Sequence, residues 1–462
     1  MYFKQFFIEG LGCASYLIGC QSAGVAAVVD PDRDVRKYLQ VAAAENLRIT
    51  HIIETHLHAD HVSGNIELAK QTGATIYISE LSQAGFSHTA LQAGDVLQLG
   101  RIALHIRPTP GHTPEGITVL IVDGARSTIP VLALTGDTLF VGDVGRPDLT
   151  GKAAAQQLAQ QLYHSIQTEL LTLPDGVLVY PGHGSGSLCG KALGAMRVST
   201  IGYERHANLA LAPRSESDFV DFATHDLPEQ PGNHSNIKAN NRQGPRALGD
   251  VIEHPLSARQ VAYLLQSGVI LLDLRDDAAY TRQHIPGSIH LLADQQLSNK
   301  IGFAVPSESP LVLLLSDVSQ YVDVVYALAR VGYSDVRGYL HDTLDTWEKL
   351  GLPVQSGTIQ NVSAIELYQW LGERDNLCVV DVREPWEYAG GHIDGAILMP
   401  LAELAILAQQ LDPRQPVAVV CASGGRSQAA AALLGRLGFG EIYNMQDGMK
   451  KWMQAGLPTV NN

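Results

Sequence analysis

The second half of the chain repeats itself, and that repeat decides its architecture. Residues 271–287 read LLDLRDDAAYTRQHIPG and residues 379–395 read VVDVREPWEYAGGHIDG, so Asp273 answers Asp381 and His284 answers His392, both 108 positions on. The apolar run PLVLLL at 310–315 corresponds to PVAVVC at 416–421, and Gly-Leu-Pro recurs at 351–353 and 456–458. Each copy is roughly a hundred residues of alternating strand and helix patterns, which reads as two α/β modules and not as one large domain. A chain of 462 residues, at about 150 residues per domain, leaves room in front of them for one larger domain.

In that front portion, residues 24–30 (GVAAVVD), 49–55 (ITHIIET), 74–79 (ATIYIS), 130–135 (PVLALT) and 177–180 (VLVY) are β-rich and end in polar residues. Residues 34–45 and 63–71 have helical spacing instead. Polar side chains at strand ends mark the edge where layered α/β folds place their sites. Residues 213–250 are polar and rich in turn formers, the composition of a connecting segment with little core of its own. The expected division is 1–250, 251–356 and 357–462.

A net charge of -15, with no local cluster of Lys and Arg, argues against a nucleic-acid surface. The N-terminal stretch is mildly apolar, is interrupted by Glu9 and lacks a basic lead, and no segment has the apolar length of a membrane span. A cytoplasmic protein is expected. The five cysteines are odd in number and widely spaced, so each thiol is judged on its own surroundings and not as part of a disulfide framework.

His56, His58, Asp60 and His61 form an H-x-H-x-D-H cluster between a strand pattern and a helix pattern. Imidazole and carboxylate converging on one turn suit a borderline transition-metal ion. His112 in PGHT, Asp137 in GDT and His183 in PGHG lie at strand ends or in Gly/Pro-rich turns. One such histidine would be an ordinary loop residue; seven ligand-type side chains in ligand-type contexts point to a metal site.

With THLHADH, PGHT, GDT and PGHG in this order, about the first 210 residues resemble the metallo-β-lactamase superfamily. The resemblance implies an α/β fold, a four-layer αββα sandwich with its metal site at one edge. All seven candidate ligands are present, so a dinuclear zinc thioester hydrolase of the glyoxalase II kind stays open. Residues 142–149 (GDVGRPDL) resemble the GR-x-D signature of persulfide dioxygenases instead, and the repeat modules stand where those hydrolases carry a helical domain. The dioxygenase resemblance implies one Fe(II) per chain on His56, His112 and Asp137. It makes His58, Asp60, His61 and His183 orienting groups and puts Arg146 near the substrate, against the plainer reading of a structural ion pair.

Cys421 opens the loop C-A-S-G-G-R-S, after the strand pattern VAVV and before a helix pattern. A cysteine there has its sulfur ringed by backbone N–H groups at a helix N-terminus, and Arg426 closes the loop. Both favour a thiolate and, on it, a persulfide anion. The Cys–Arg spacing is one residue short of a phosphatase C-x5-R loop. Together with DVREPWEY, GHIDGA and NMQDGMKKW, the loop resembles the rhodanese family over 359–462. The first copy, about 255–355, keeps the scaffold but reads LLSDVSQY there, with Leu315 or Ser316 in the cysteine position, so it is expected to be a structural or docking module. Cys189, just after His183, reads either as an incidental loop thiol or as a sulfur relay beside the pocket. Cys13, Cys20 and Cys378 read as packing residues.

The combined resemblance implies an α/β sandwich followed by two rhodanese domains, acting in sulfide detoxification. A low-molecular-weight persulfide and O2 would give thiol and sulfite, and Cys421 would pass sulfane sulfur to sulfite, making thiosulfate. Joining both activities in one chain raises the effective concentration of sulfite at its acceptor. A homo-oligomer is expected, without nucleic-acid or membrane partners. A sulfur carrier whose metal only folds the domain is the non-enzymatic alternative.

Overall fold

The strand Ile102–Pro108 buries Ile102, Leu104 and Ile106 and turns the residues between them outward, the period of two that a half-covered sheet demands. Its neighbour Ile117–Asp123 is buried along its whole length, as a strand covered on both faces must be. In a computed structural model these strands belong to one of two six-stranded sheets. The structure describes residues 1–149, 151–187, 189–191, 193–225, 227, 233–356 and 359–461.

The first sheet runs in sequence order from Tyr2–Ile8 through Cys13–Cys20, Val25–Val29, Arg48–Ile53 and Thr75–Ser79 to Thr89–Leu91. The second runs from Ser199–Thr200 through Leu178–Pro181, Leu132–Gly136, Ile117–Asp123 and Ile102–Pro108 to Val96–Leu99. Their inner faces meet in one apolar core that includes Ile18, Val29 and Ile53 from the first sheet and Leu104, Val119 and Leu134 from the second. Tyr38 and Leu68, on the helices Arg36–Ala44 and Asn65–Thr72, cover the outside of the first sheet. Ala159, Leu162 and Phe219, on Lys152–Ser165 and Glu216–Thr224, cover the second. This is the αββα sandwich.

The segment 213–250 departs from expectation. It forms the helices Glu216–Thr224 and His234–Gln243, and Phe219 and Ile237 are buried, so it adds core to the sandwich instead of merely connecting. Residues 226 and 228–232 of this segment, and 357–358 at the start of the last copy, lie outside the described residues. The first compact unit extends to Gly249, and the second begins at Asp250 and also includes Asn233.

In the second unit each copy folds into a five-stranded parallel sheet with the same strand order. The repeat is visible down to single contacts. Trp347 and Trp452 donate from their indole nitrogens to the carbonyls of Pro353 and Pro458 at 3.0 and 2.9 Å. Tyr280 stacks on His284, and Tyr388 on His392. No helix among the described residues is long and apolar enough to cross a membrane.

The two copies share an interior. The helix Leu297–Ala304 of the first packs against Gly425–Arg436 of the second. Tyr280 and Phe303 of the first copy join the apolar cluster that contains Cys421. At the centre, the buried Lys300 ammonium donates to Asp294 at 2.8 Å and to Gln428 Oε1 at 2.6 Å. Lys300→Met strands that buried amide oxygen, which costs about 1–3 kcal/mol. Calorimetry of the full chain should show the transition of the paired modules moved down and that of the first unit unmoved. An unmoved transition of the paired modules would mean that the contact contributes nothing.

Candidate metal centre and sulfur-transfer site

The strand Arg48–Ile53 ends just before the H-x-H-x-D-H turn, and the helix Asn65–Thr72 begins just after it. His56, His58, Asp60 and His61 are all buried there. His112 follows the end of Ile102–Pro108, Asp137 follows Leu132–Gly136, and His183 follows Leu178–Pro181. Gly182 is needed beside it, because a Cβ at that position would lie 2.4 Å from the Asp137 carboxylate.

His56, His112 and Asp137 turn ligand atoms toward one place. One nitrogen each of His56 and His112 and one carboxylate oxygen of Asp137 fall within 4.8 Å of one another. His112 Nε2 is 3.3 Å and His56 Nε2 3.8 Å from Asp137 Oδ2. His56 Nε2 and Asp137 Oδ2 are buried without a hydrogen-bond partner, an arrangement that native proteins seldom leave unexplained. The far side of each group is held: His56 Nδ1 by Thr55 Oγ1 at 2.9 Å, His112 Nδ1 by the Arg146 carbonyl at 2.8 Å, and Asp137 Oδ1 by His183 Nδ1 at 2.8 Å. Burial, with the charge of His58, keeps the His56 imidazole well below its usual pKa, and burial lowers that of His112. Burial alone would raise the Asp137 pKa, but His183, His56 and His112 outweigh it and hold the carboxylate ionised. Two neutral imidazoles and an anionic oxygen are a fitting donor set for a divalent transition metal.

The other four contact one another and their neighbours, but both His58 nitrogens and Asp60 Oδ1 are also buried without a hydrogen-bond partner, and ligand atoms of His58, Asp60 and His61 fall within 4.8 Å of one another as well. His58 Nε2 lies 3.2 Å from Asp30 and 3.3 Å from Glu54, and these carboxylates overcome burial and raise its pKa. Asp60 Oδ2 is approached by His61 Nδ1 at 3.2 Å, His183 Nε2 at 2.9 Å and the Cys13 thiol at 2.9 Å. Both nitrogens of His183 are thus used, one on Asp137 and one on Asp60.

Several of these partners carry no signal in the sequence. Cys13, expected to be a packing residue, sits at the site, 3.3 Å from His183 as well as on Asp60. Asn241, from the supposed connector, accepts from Ser63 N–H at 2.9 Å and donates to the carbonyls of His58 and His61, both at 2.8 Å. Arg146 forms a two-pronged ion pair with Asp148 at 2.7 and 2.8 Å, and its carbonyl orients His112. Cys189 is buried beside Asp137 and His183, and burial pushes its thiol up to about 11.

In the last copy, the strand Val417–Val420 delivers Cys421 to the N-terminus of the helix Gly425–Arg436. Gly424 N–H donates to Cys421 Sγ at 3.1 Å, and Ser427 Oγ lies 3.4 Å from it. Gly424 has a positive φ of 89°, and a Cβ there would lie 1.9 Å from the Gln446 carbonyl, so only glycine fits. Arg426 does not stand open over the sulfur. Its fork holds Glu387 at 2.7 and 2.8 Å. In the first copy the corresponding loop carries its own anion, Asp317, which accepts from Ser319 N–H at 2.9 Å.

The family model for the metallo-beta-lactamase superfamily matches residues 8–183, and that for the rhodanese-like domain matches 257–348 and again 363–455. The persulfide dioxygenase ETHE1 of Bos taurus is 34% identical over 208 residues, which cover 45% of this chain and 74% of that protein. The chain belongs to the ETHE1 persulfide dioxygenase family of the metallo-β-lactamase superfamily. Two rhodanese-like domains extend this member of the family. A crystal structure of a metallo-β-lactamase from Staphylococcus aureus subsp. aureus COL is 36% identical and has a TM-score of 0.66, covering 74% of this chain and 98% of its own. That is more of the chain than the first unit alone supplies. The hydroxyacylglutathione hydrolase of Polaromonas sp. (strain JS666 / ATCC BAA-500) is 34% identical over 172 residues, 37% of this chain and 61% of its own. It covers less of its own length than the dioxygenase match does.

Proposed function

We propose that the chain, divided at 1–250, 251–356 and 357–462, is a non-heme iron persulfide dioxygenase coupled to a sulfurtransferase. One observation carries the reading. His56 Nε2 and Asp137 Oδ2 are orphaned and, with His112, face a single point, while His61 and both nitrogens of His183 are tied to carboxylates and His58 lies between Asp30 and Glu54. A single Fe(II) would be held by His56, His112 and Asp137, and the chemistry it supplies is the reaction of O2 with a sulfane sulfur. The net reaction takes one persulfide, one O2 and one water to one thiol and one sulfurous acid, which ionises to sulfite.

The chain's own groups then have defined tasks. His183 and Thr55 fix the outer edges of two ligands, and the Arg146 carbonyl fixes the third. Thr113, buried at the same cleft, has a hydroxyl without a partner and is available to a substrate. Cys421 takes a sulfane sulfur onto its thiolate and passes it to sulfite, the Gly424 amide holding the sulfur in both states.

The test is oxygen uptake with glutathione persulfide by protein of known metal content. One iron per chain and persulfide-dependent oxygen consumption are expected. The second reading, a dinuclear zinc thioester hydrolase, draws on the likeness to hydroxyacylglutathione hydrolase. Two zinc ions per chain, with thioester cleavage and no oxygen uptake, would establish it instead.

A further inference from the structure

The pairing of Arg426 has a chemical consequence. A guanidinium five residues beyond a nucleophilic cysteine, on the first turn of the helix that follows it, is well placed to bind the oxygens of sulfite or thiosulfate. Here both prongs are taken by Glu387, at 2.7 and 2.8 Å, and Glu384 lies 4.0 Å from the same guanidinium. Glu387 is itself fixed, because it accepts from the Glu384 N–H at 3.0 Å at the start of the helix Pro385–Ala389. The pair is not sealed off: the Arg426 side chain is 29% exposed and Glu387 14%. Burial raises the Glu387 carboxyl pKa, but Arg426 outweighs it and keeps the group ionised.

We infer that Glu387 determines which sulfur compounds the Cys421 site holds, by competing with oxyanions for Arg426. This rests on the sulfurtransferase reading of Cys421. A persulfide donor needs no oxyanion contact at its reacting end. Its terminal sulfur is attacked by the Cys421 thiolate, the donor S–S bond breaks, and the departing thiolate takes up the persulfide proton. Sulfite then attacks the outer sulfur with its lone pair, the bond to Cys421 breaks, and the electron pair returns to Cys421 as thiolate. The product is a dianion. With Arg426 already paired, thiosulfate is held weakly and leaves, and it is a poor donor for the reverse transfer. The site is thus matched to persulfides as donors and to thiosulfate as a released product.

The test is Glu387→Gln, which keeps the size of the side chain and an acceptor for Glu384 N–H but removes the charge. Thiosulfate binding is measured by calorimetry in a Cys421→Ser background, where no transfer occurs. Glu387→Gln should tighten thiosulfate about tenfold, with a steeper loss of affinity in salt. In the Cys421 protein, the KM for thiosulfate should fall by a similar factor while that for glutathione persulfide stays within about twofold. Glu387→Asp, which keeps the charge, should resemble the parent. Unchanged thiosulfate affinity in Glu387→Gln, or equal changes for both donors, overturns the role of Glu387. Absence of transfer from every donor by the unaltered protein would instead count against the sulfurtransferase reading, and the binding comparison would still judge Glu387.

Discussion

His56→Ala should lose both iron and oxygen uptake, while His58→Ala should keep iron in whatever fraction of the protein remains folded. His56 offers a free, neutral nitrogen to the shared point, and its removal leaves only His112 and Asp137. His58 has a different task. It lies between Asp30 and Glu54, so its removal leaves two buried carboxylates facing each other without a cation. Breaking a buried pair in this way costs about 3–5 kcal/mol. The expected result is a large fall in melting temperature for His58→Ala and none of that size for His56→Ala, with iron per chain showing the opposite order. If soluble, folded His58→Ala is as empty of iron as His56→Ala, the assignment of the three ligands is wrong.

Cys421→Ser is the second large effect, and it tests the coupling of the two activities. Serine fits the same buried position and leaves Gly424 N–H an acceptor, but it cannot carry a sulfane sulfur. Thiosulfate formation should stop. Oxygen consumption should stay within a few-fold, because the proposed iron ligands belong to the other compact unit, and sulfite should accumulate in place of thiosulfate. Short assays with excess persulfide keep the uncatalysed reaction of sulfite with sulfane sulfur small. Thiosulfate at the unaltered ratio would remove Cys421 from the reaction and make Cys189 the leading candidate. Collapse of oxygen uptake would mean that Cys421 delivers sulfur to the metal centre and does not act downstream of it.

Much of the fold was legible because the signals were local. The expected strand at 24–30 is Val25–Val29, that at 74–79 is Thr75–Ser79, and the helical spacing at 63–71 is the helix Asn65–Thr72. The repeat gave two modules with one strand order. The failures have a common cause. His234–Gln243 reads HSNIKANNRQ, and its buried side chains include a histidine and an asparagine, so apolar periodicity hardly registers it. Asn241 reaches His58 across 183 positions and Cys13 reaches Asp60 across 47, distances at which only the folded chain decides who meets whom. Arg426 was visible as a charge, but the Glu387 that occupies it was not.

The shared interior of the two repeat copies bears on whether either copy can stand without the other. The first copy reads LLSDVSQY where the second has the Cys421 loop, so it carries no cysteine there. Tyr280 and Phe303 line the same cluster as Cys421, and Lys300 holds Gln428 on the helix that follows the cysteine loop. Deleting the first copy would strip one wall from the second. The Cys421 loop is therefore built by two domains, the first copy lending its twin a surface that the twin does not possess alone.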